Sequence, residues 1–174
     1  MAKPYADDLR CGVTTQRTRL WGRAPRGERI AEATPQGHWQ VLTTLGAMSL
    51  RGLEAVMTVE SATDGDVFLT FLEQVLCPKL KAGDVGVMDN LSAHKVKGVR
   101  ELIAARGAEL LYLPPYSPDF NPIEKARSKL KQLLRAAKAR TAKALDQAIT
   151  EALKAITAEN AAAWFRHCGY ALQN

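Results

Sequence analysis

Residues 111 to 124 read Leu111-Tyr112-Leu113-Pro114-Pro115-Tyr116-Ser117-Pro118-Asp119-Phe120-Asn121-Pro122-Ile123-Glu124. The four prolines fix φ and remove backbone donors, so Pro114 to Pro122 can be neither helix nor inner strand. Before this rigid joint, Glu109 to Leu113 is a short strand-type run. After it, Ile123 to Ala137 has apolar residues at helical spacing with cations between them. The joint therefore holds a strand end and a helix start at a set separation. Upstream, Asp89 ends a second strand-type run, Val85 to Met88, and is followed by Asn90-Leu91-Ser92-Ala93-His94-Lys95.

One carboxylate at a strand end and another, Glu124, in the first turn of a basic helix can together hold a divalent metal. Oxygen donors suit Mg²⁺ or Mn²⁺. Each acid also has an ordinary structural explanation. Asp89 can close a turn, and Glu124 can complement a helix N-terminus; only their combination argues for a site. Asn90 can orient a ligand or phosphate. His94 can touch the site or serve as a cap. Asp119 and Asn121 can organise the turn before the helix through side-chain to backbone bonds.

The remaining pattern predicts a short strand at Thr18 to Trp21. Trp39 to Ser49 and Leu53 to Glu60 form a hairpin split by Arg51-Gly52. Helices are predicted over Asp64 to Leu80, over Lys95 to Arg106 stopped by Gly107, over Ala142 to Ile156, and from Thr157 or Ala158 to His167. Met1 to Leu9 carries no clear element. A helical crossover between the Val85 and Glu109 strands makes them parallel neighbours. A hairpin followed by parallel strands, with helices over both faces, predicts an α/β ribonuclease H-like fold with a mixed central sheet. The N-terminal strand is expected to be incomplete or degenerate (about residues 1–10). The 174 residues suffice for a single domain, with C-terminal helices over 141–174.

The net charge is +6, concentrated at Arg17, Arg19, Arg23, Arg26 and Arg29 and along Lys125 to Lys143. Such clusters neutralise phosphates, or else form a solvated helix face. Beside the carboxylates they favour DNA, with Arg23, Arg26, Lys95, Lys125, Lys129 and Lys131 as candidate contacts. No apolar run approaches a membrane span and no signal peptide opens the chain. The three scattered cysteines, Cys11, Cys77 and Cys168, fit a reduced, cytoplasmic compartment.

These residues resemble the DDE transposases, in particular the mariner-like branch of bacterial insertion sequences. The likeness rests on Met88-Asp89-Asn90 with His94-Lys95, on Leu113 to Glu124, and on Gly22-Arg23-Ala24-Pro25-Arg26-Gly27. The 34 residues between Asp89 and Glu124 also match that branch. The resemblance implies metal-dependent DNA cleavage and strand transfer, with Asp89 and Glu124 as the second and third catalytic carboxylates. It further implies nucleoid association and a homodimer.

The first carboxylate departs from the family pattern. Counting back from Gly22 puts the expected Asp-Glu pair on Leu9 and Arg10, whereas the acids are Asp7 and Asp8. Asp8 is the candidate if a local bulge brings it to the site. Helix-turn-helix modules usual upstream of this domain are expected in a separately encoded segment, as in a split frame or a decayed element. Two rivals stand beside the transposase: a catalytically inactive DNA-binding remnant, and an unrelated ribonuclease H-like nuclease.

Overall fold

A computed structural model of the chain describes residues 4–7 (backbone only), 11–19, 21–31, 41–60 and 63–171. Six strands form one sheet. The hairpin is β3 (Val41–Ser49) and β4 (Gly52–Val59), antiparallel, with a register irregularity at Ala47/Met48. Its turn is closed by Glu54, whose Oε1 accepts from Ser49 Oγ and Arg51 Nε, each at 2.6 Å. On the other side of β3 lie β1 (Pro4–Asp7) and β2 (Cys11–Thr14), one after the other along the same edge. Beyond β1 come β5 (Val85–Met88) and β6 (Glu109–Tyr112), so that β1, β5 and β6 run parallel.

β1 falls within residues 1–10, where a degenerate N-terminal strand was expected; β2 went unread in the sequence. β1 is short, yet it sits inside the sheet, between β3 and β5. Pro4 is its first residue, a position a proline tolerates because no ladder bond is broken there. β2 is likewise four residues long. Three residues separate Asp7 from Cys11, but only two separate their partners Ala47 and Thr44. The strand pair therefore carries one extra residue between β1 and β2, the count that defines a bulge.

β3 is buried from Leu42 to Ser49 because helices cover both faces of the sheet. On one side Leu45, Ala47 and Met88 pack with Phe68 and Phe71 of α1 (Gly65–Phe71) and with Val99 and Ile103 of α2 (Val99–Ala104). On the other, Cys11, Val13 and Leu42 pack with Ile123, Ala126, Leu130 and Leu134 of α3 (Ile123–Ala137). Leu145 and Ile149 of α4 (Ala142–Lys154) and Phe165 of α5 (Ala158–His167) complete that layer. Thr141 and Thr157 cap α4 and α5 through their side-chain oxygens.

Three expectations are corrected. Residues 18, 19 and 21 are irregular rather than a strand; Leu20 lies outside the described residues. The helix from Asp64 to Leu80 ends early: α1 continues as a π-helical turn, Leu72–Leu76, closed by Cys77 N–H on Leu72 O at 2.8 Å. The helix expected over Lys95 to Arg106 is broken into a 3₁₀ turn, Ser92–Lys95, and α2. Between them Val96 is extended and Gly98 takes φ +105°, a conformation that only glycine adopts cheaply. The break lets His94 turn inward. No helix among the described residues is long and apolar enough to cross a membrane.

Candidate active site

Strands β1, β5 and β6 end at one edge of the sheet, and the cleft opens there, as clefts do at the carboxyl ends of parallel strands. Asp89 follows β5. Leu113 follows β6 and is tied to β5 by its N–H on Met88 O at 2.8 Å. The proline joint then runs across the opening to α3. Asn121 is buried, and its Oδ1 accepts from Ile123 N–H at 3.4 Å. Glu124 N–H donates to Asn121 O at 3.2 Å, which starts the helix and delivers Glu124. Asp89, Asn90, Asn121 and Glu124 thus line one cavity of about 400 Å³, walled by Pro114 to Pro118.

The Asp89 carboxylate is held from two directions. Its Oδ1 accepts from Leu91 N–H at 3.0 Å and lies 2.8 Å from His94 Nδ1. His94 is 1 % exposed and its ring lies 4.4 Å from that of Phe68. The imidazole is therefore a buried prop for Asp89. Tyr112 O–H donates to the His94 carbonyl at 2.6 Å and fixes the turn from β6. Glu124 is tethered within its helix: its Oε1 accepts from Arg127 Nη1 at 2.9 Å. Side chains of Asp89 and Glu124 are 30 % and 32 % exposed, so both carboxylates reach the cleft. Asn90 Oδ1 is buried without a hydrogen-bond partner.

Two carboxylates and an amide oxygen on one cleft suit a hard divalent cation. Among the described residues, no group of three His, Cys, Asp or Glu side chains gathers as a metal centre. Asp8 lies outside the described residues. The backbone of Asp7 ends β1, one step past the pairing of Ala6 with Val87, and so arrives at the edge that carries Asp89.

The candidate DNA contacts fall into three groups. Arg23, Arg26 and Lys95 are exposed, and Lys95 Nζ lies 5.9 Å from the Tyr112 ring centre. Lys125 and Lys131 are half-buried on α3; burial, then Arg127, holds the Lys131 ammonium below the usual lysine pKa. Lys129 is structural: it donates to Ala155 O at 2.7 Å and to Asn160 Oδ1 at 2.5 Å, joining α3 to the junction of α4 and α5. Asp119 is exposed on the 3₁₀ turn Pro118–Phe120, and Asn121 makes the turn-forming bond alone of the two.

Arg127 and Arg140 were read only as members of the basic run from Lys125 to Lys143; the tie of Arg127 to Glu124 was missed, though its i, i+3 spacing was a readable signal. Also missed were the contacts of Arg140, whose Nη1 donates to Thr15 O at 3.1 Å and Arg17 O at 3.0 Å, and of Tyr170, whose O–H donates to Phe120 O at 2.9 Å. Nothing local announces those two contacts.

The family model described as DDE superfamily endonuclease matches residues 5–146. The chain belongs to this family. Its fold matches solved Mos1 structures. The Mos1 strand transfer complex aligns with a TM-score of 0.67 at 15 % identity, covering 95 % of this chain and 50 % of that one. The mariner Mos1 paired end complex with Mg aligns at 0.67 and 14 % identity, covering 95 % and 51 %. The catalytic domain of the Mos1 mariner transposase aligns at 0.59 and 13 % identity, covering 95 % and 75 %. At such identities the likeness is one of fold, and that fold is ribonuclease H-like. This DDE-family chain spans about half the length of the solved complexes it matches. No curated protein matches it.

Proposed function

We propose that this chain is the catalytic domain of a DNA transposase that cuts DNA strands and transfers them with Mg²⁺ or Mn²⁺. The observation that carries the reading is the convergence of Asp89 and Glu124, 34 residues apart, on one cleft of a DDE-family fold. Asp89 and Glu124 would hold the ions, with a first carboxylate from Asp7-Asp8. Divalent ions held there would supply the Lewis acidity that in-line displacement at a phosphodiester needs at the attacking water or 3′-hydroxyl and at the leaving oxygen. His94 and Leu91 N–H keep the Asp89 carboxylate in place. Arg127 restrains Glu124 until a stronger cation draws it away. Lys125, Lys131, Arg23 and Arg26 would seat phosphates on either side. The fold neighbour Mos1 forms strand transfer and paired end complexes, which favours DNA as substrate and a homodimer as the working form. A helix-turn-helix segment encoded upstream would read the element's ends, and the assembly would act on the bacterial nucleoid.

The second reading, an inactive DNA-binding remnant, draws on the absence of a third acid among the described side chains of the cleft. A nicking assay on supercoiled plasmid in Mg²⁺ or Mn²⁺ separates the two. The transposase reading expects cutting by the unaltered chain, lost in Asp89→Asn and in Glu124→Gln. Asp7→Ala and Asp8→Ala, run beside them, identify the first carboxylate by which one abolishes cutting. An unaltered chain that binds DNA but never nicks it is the remnant.

A further inference from the structure

Tyr116 is placed at a cost that nothing inside the protein repays. It has φ +57°, one of two non-glycine residues in the left-handed region among those described. Such a conformation is strained for any residue that carries a Cβ. The side chain gains no packing in return, being fully exposed. The residue nevertheless stands on a fixed base. Pro114, Pro115 and Pro118 flank it, Ser117 Oγ donates to Pro115 O at 3.3 Å, and Asn121 N–H donates to Pro118 O at 3.0 Å. Tyr170 holds the far end of the loop through Phe120 O. Tyr116 lines the same cavity as Asp89 and Glu124.

We propose that Tyr116 is a nucleobase-stacking residue that grips the terminal nucleotide beside the phosphate held in the cleft; this rests on the reading of the cleft as a DNA-cutting site. A phosphate between the two carboxylates brings its own base to the cavity rim. Cutting removes the stacked neighbour of that base and leaves one face bare. An aromatic ring carried on a fixed backbone at the cavity rim can cover the bare face, and only the side chain has to be ordered on binding. An exposed Tyr ring can stack on any base, because every base has a π-face, with a gain of roughly five- to a hundred-and-fiftyfold in affinity per base.

The test uses a pre-cut duplex end in Mg²⁺, so that no cutting is needed, with 2-aminopurine as the terminal base. A matching end carries an abasic site there, and a covalently closed circle serves as end-free DNA. Binding of the unaltered chain is expected to quench the 2-aminopurine. Tyr116→Phe and Tyr116→Trp should keep the quench. Tyr116→Ala and Tyr116→Leu should lose it and bind the end at least about fivefold more weakly. On the abasic end and the circle all five proteins should bind alike. Equal end binding by Tyr116→Ala overturns the proposal, as does full rescue by Leu, or the same penalty on abasic and circular DNA. Plasmid nicking, measured in parallel, keeps the two claims apart. Nicking with no effect of Tyr116 sinks the stacking claim alone; ring-dependent end binding without nicking sinks the nuclease reading and leaves the stacking.

Discussion

The Asp89 carboxylate is held in place by residues behind the cleft. Its Oδ1 meets a backbone N–H and the Nδ1 of a histidine packed on Phe68. Partners of this kind orient metal ligands, and their loss typically lowers metal affinity or activity by about 10–100-fold. His94→Phe preserves the aromatic contact and deletes the nitrogen. We expect it to fold with a near-normal melting temperature and to cut about 10–100-fold more slowly, with part of the rate restored by more Mg²⁺. A loss that no metal concentration relieves, with the melting temperature unchanged, would mean that His94 acts on something other than Asp89.

At the scale of elements, α3 has two jobs on two faces. Its apolar face fills the core, its first turn delivers Glu124, and of its cations Lys129 braces the fold while Lys131 is a proposed DNA contact. Lys129→Met should therefore weaken the fold by roughly 1.5–3 kcal/mol, the range for hydrogen bonds to a charged group, seen as a lower urea midpoint. It should leave the salt dependence of DNA binding alone. Lys131→Met should do the reverse, reducing the slope of log K against log salt by about 0.9. Identical effects from both would refute this division. The β3–β4 turn carries a pH signature. Burial raises the Glu54 pKa, but hydrogen bonds from Arg51 and Ser49 outweigh it and hold the carboxyl below the usual glutamate value. A depressed folded pKa stabilises above the unfolded value, about 4.3, and that stability is lost as pH falls through the folded value. The stability gap between the unaltered chain and Glu54→Gln should thus shrink on acidification and be constant above about pH 6.

The whole molecule is a sheet with helices on both faces and a cleft at the end of its parallel strands. The chain carries a net charge of +6. The described residues offer no separate recognition module, so phosphate contacts should dominate binding. We expect similar affinities for unrelated duplexes, falling steeply between 50 and 200 mM salt as released counterions cease to favour the complex. Fluorescence anisotropy on two unrelated duplexes across that range checks this. Affinity flat in salt, or strongly sequence-selective, would contradict it.

The sequence by itself determined the elements whose signals are local. Val85 to Met88 and Ile123 to Ala137 fall where the apolar runs placed them, because continuous burial and helical spacing are written in consecutive residues. The proline joint was legible for the same reason: a ring fixes φ wherever the chain goes. Tertiary structure decided what depends on partners distant in sequence. Pro4 to Asp7 is a strand because β3 and β5 offer edges on both sides of it, not because those four residues favour one. The extra residue between β1 and β2 exists only relative to β3. Lys129 reads as one more surface cation until the fold brings Ala155 and Asn160 to it. His94 reads as a cap until Gly98 breaks the helix and the ring turns in beneath Asp89. These outcomes are set by contacts that close only when the sheet assembles, so no window of neighbouring residues contains them.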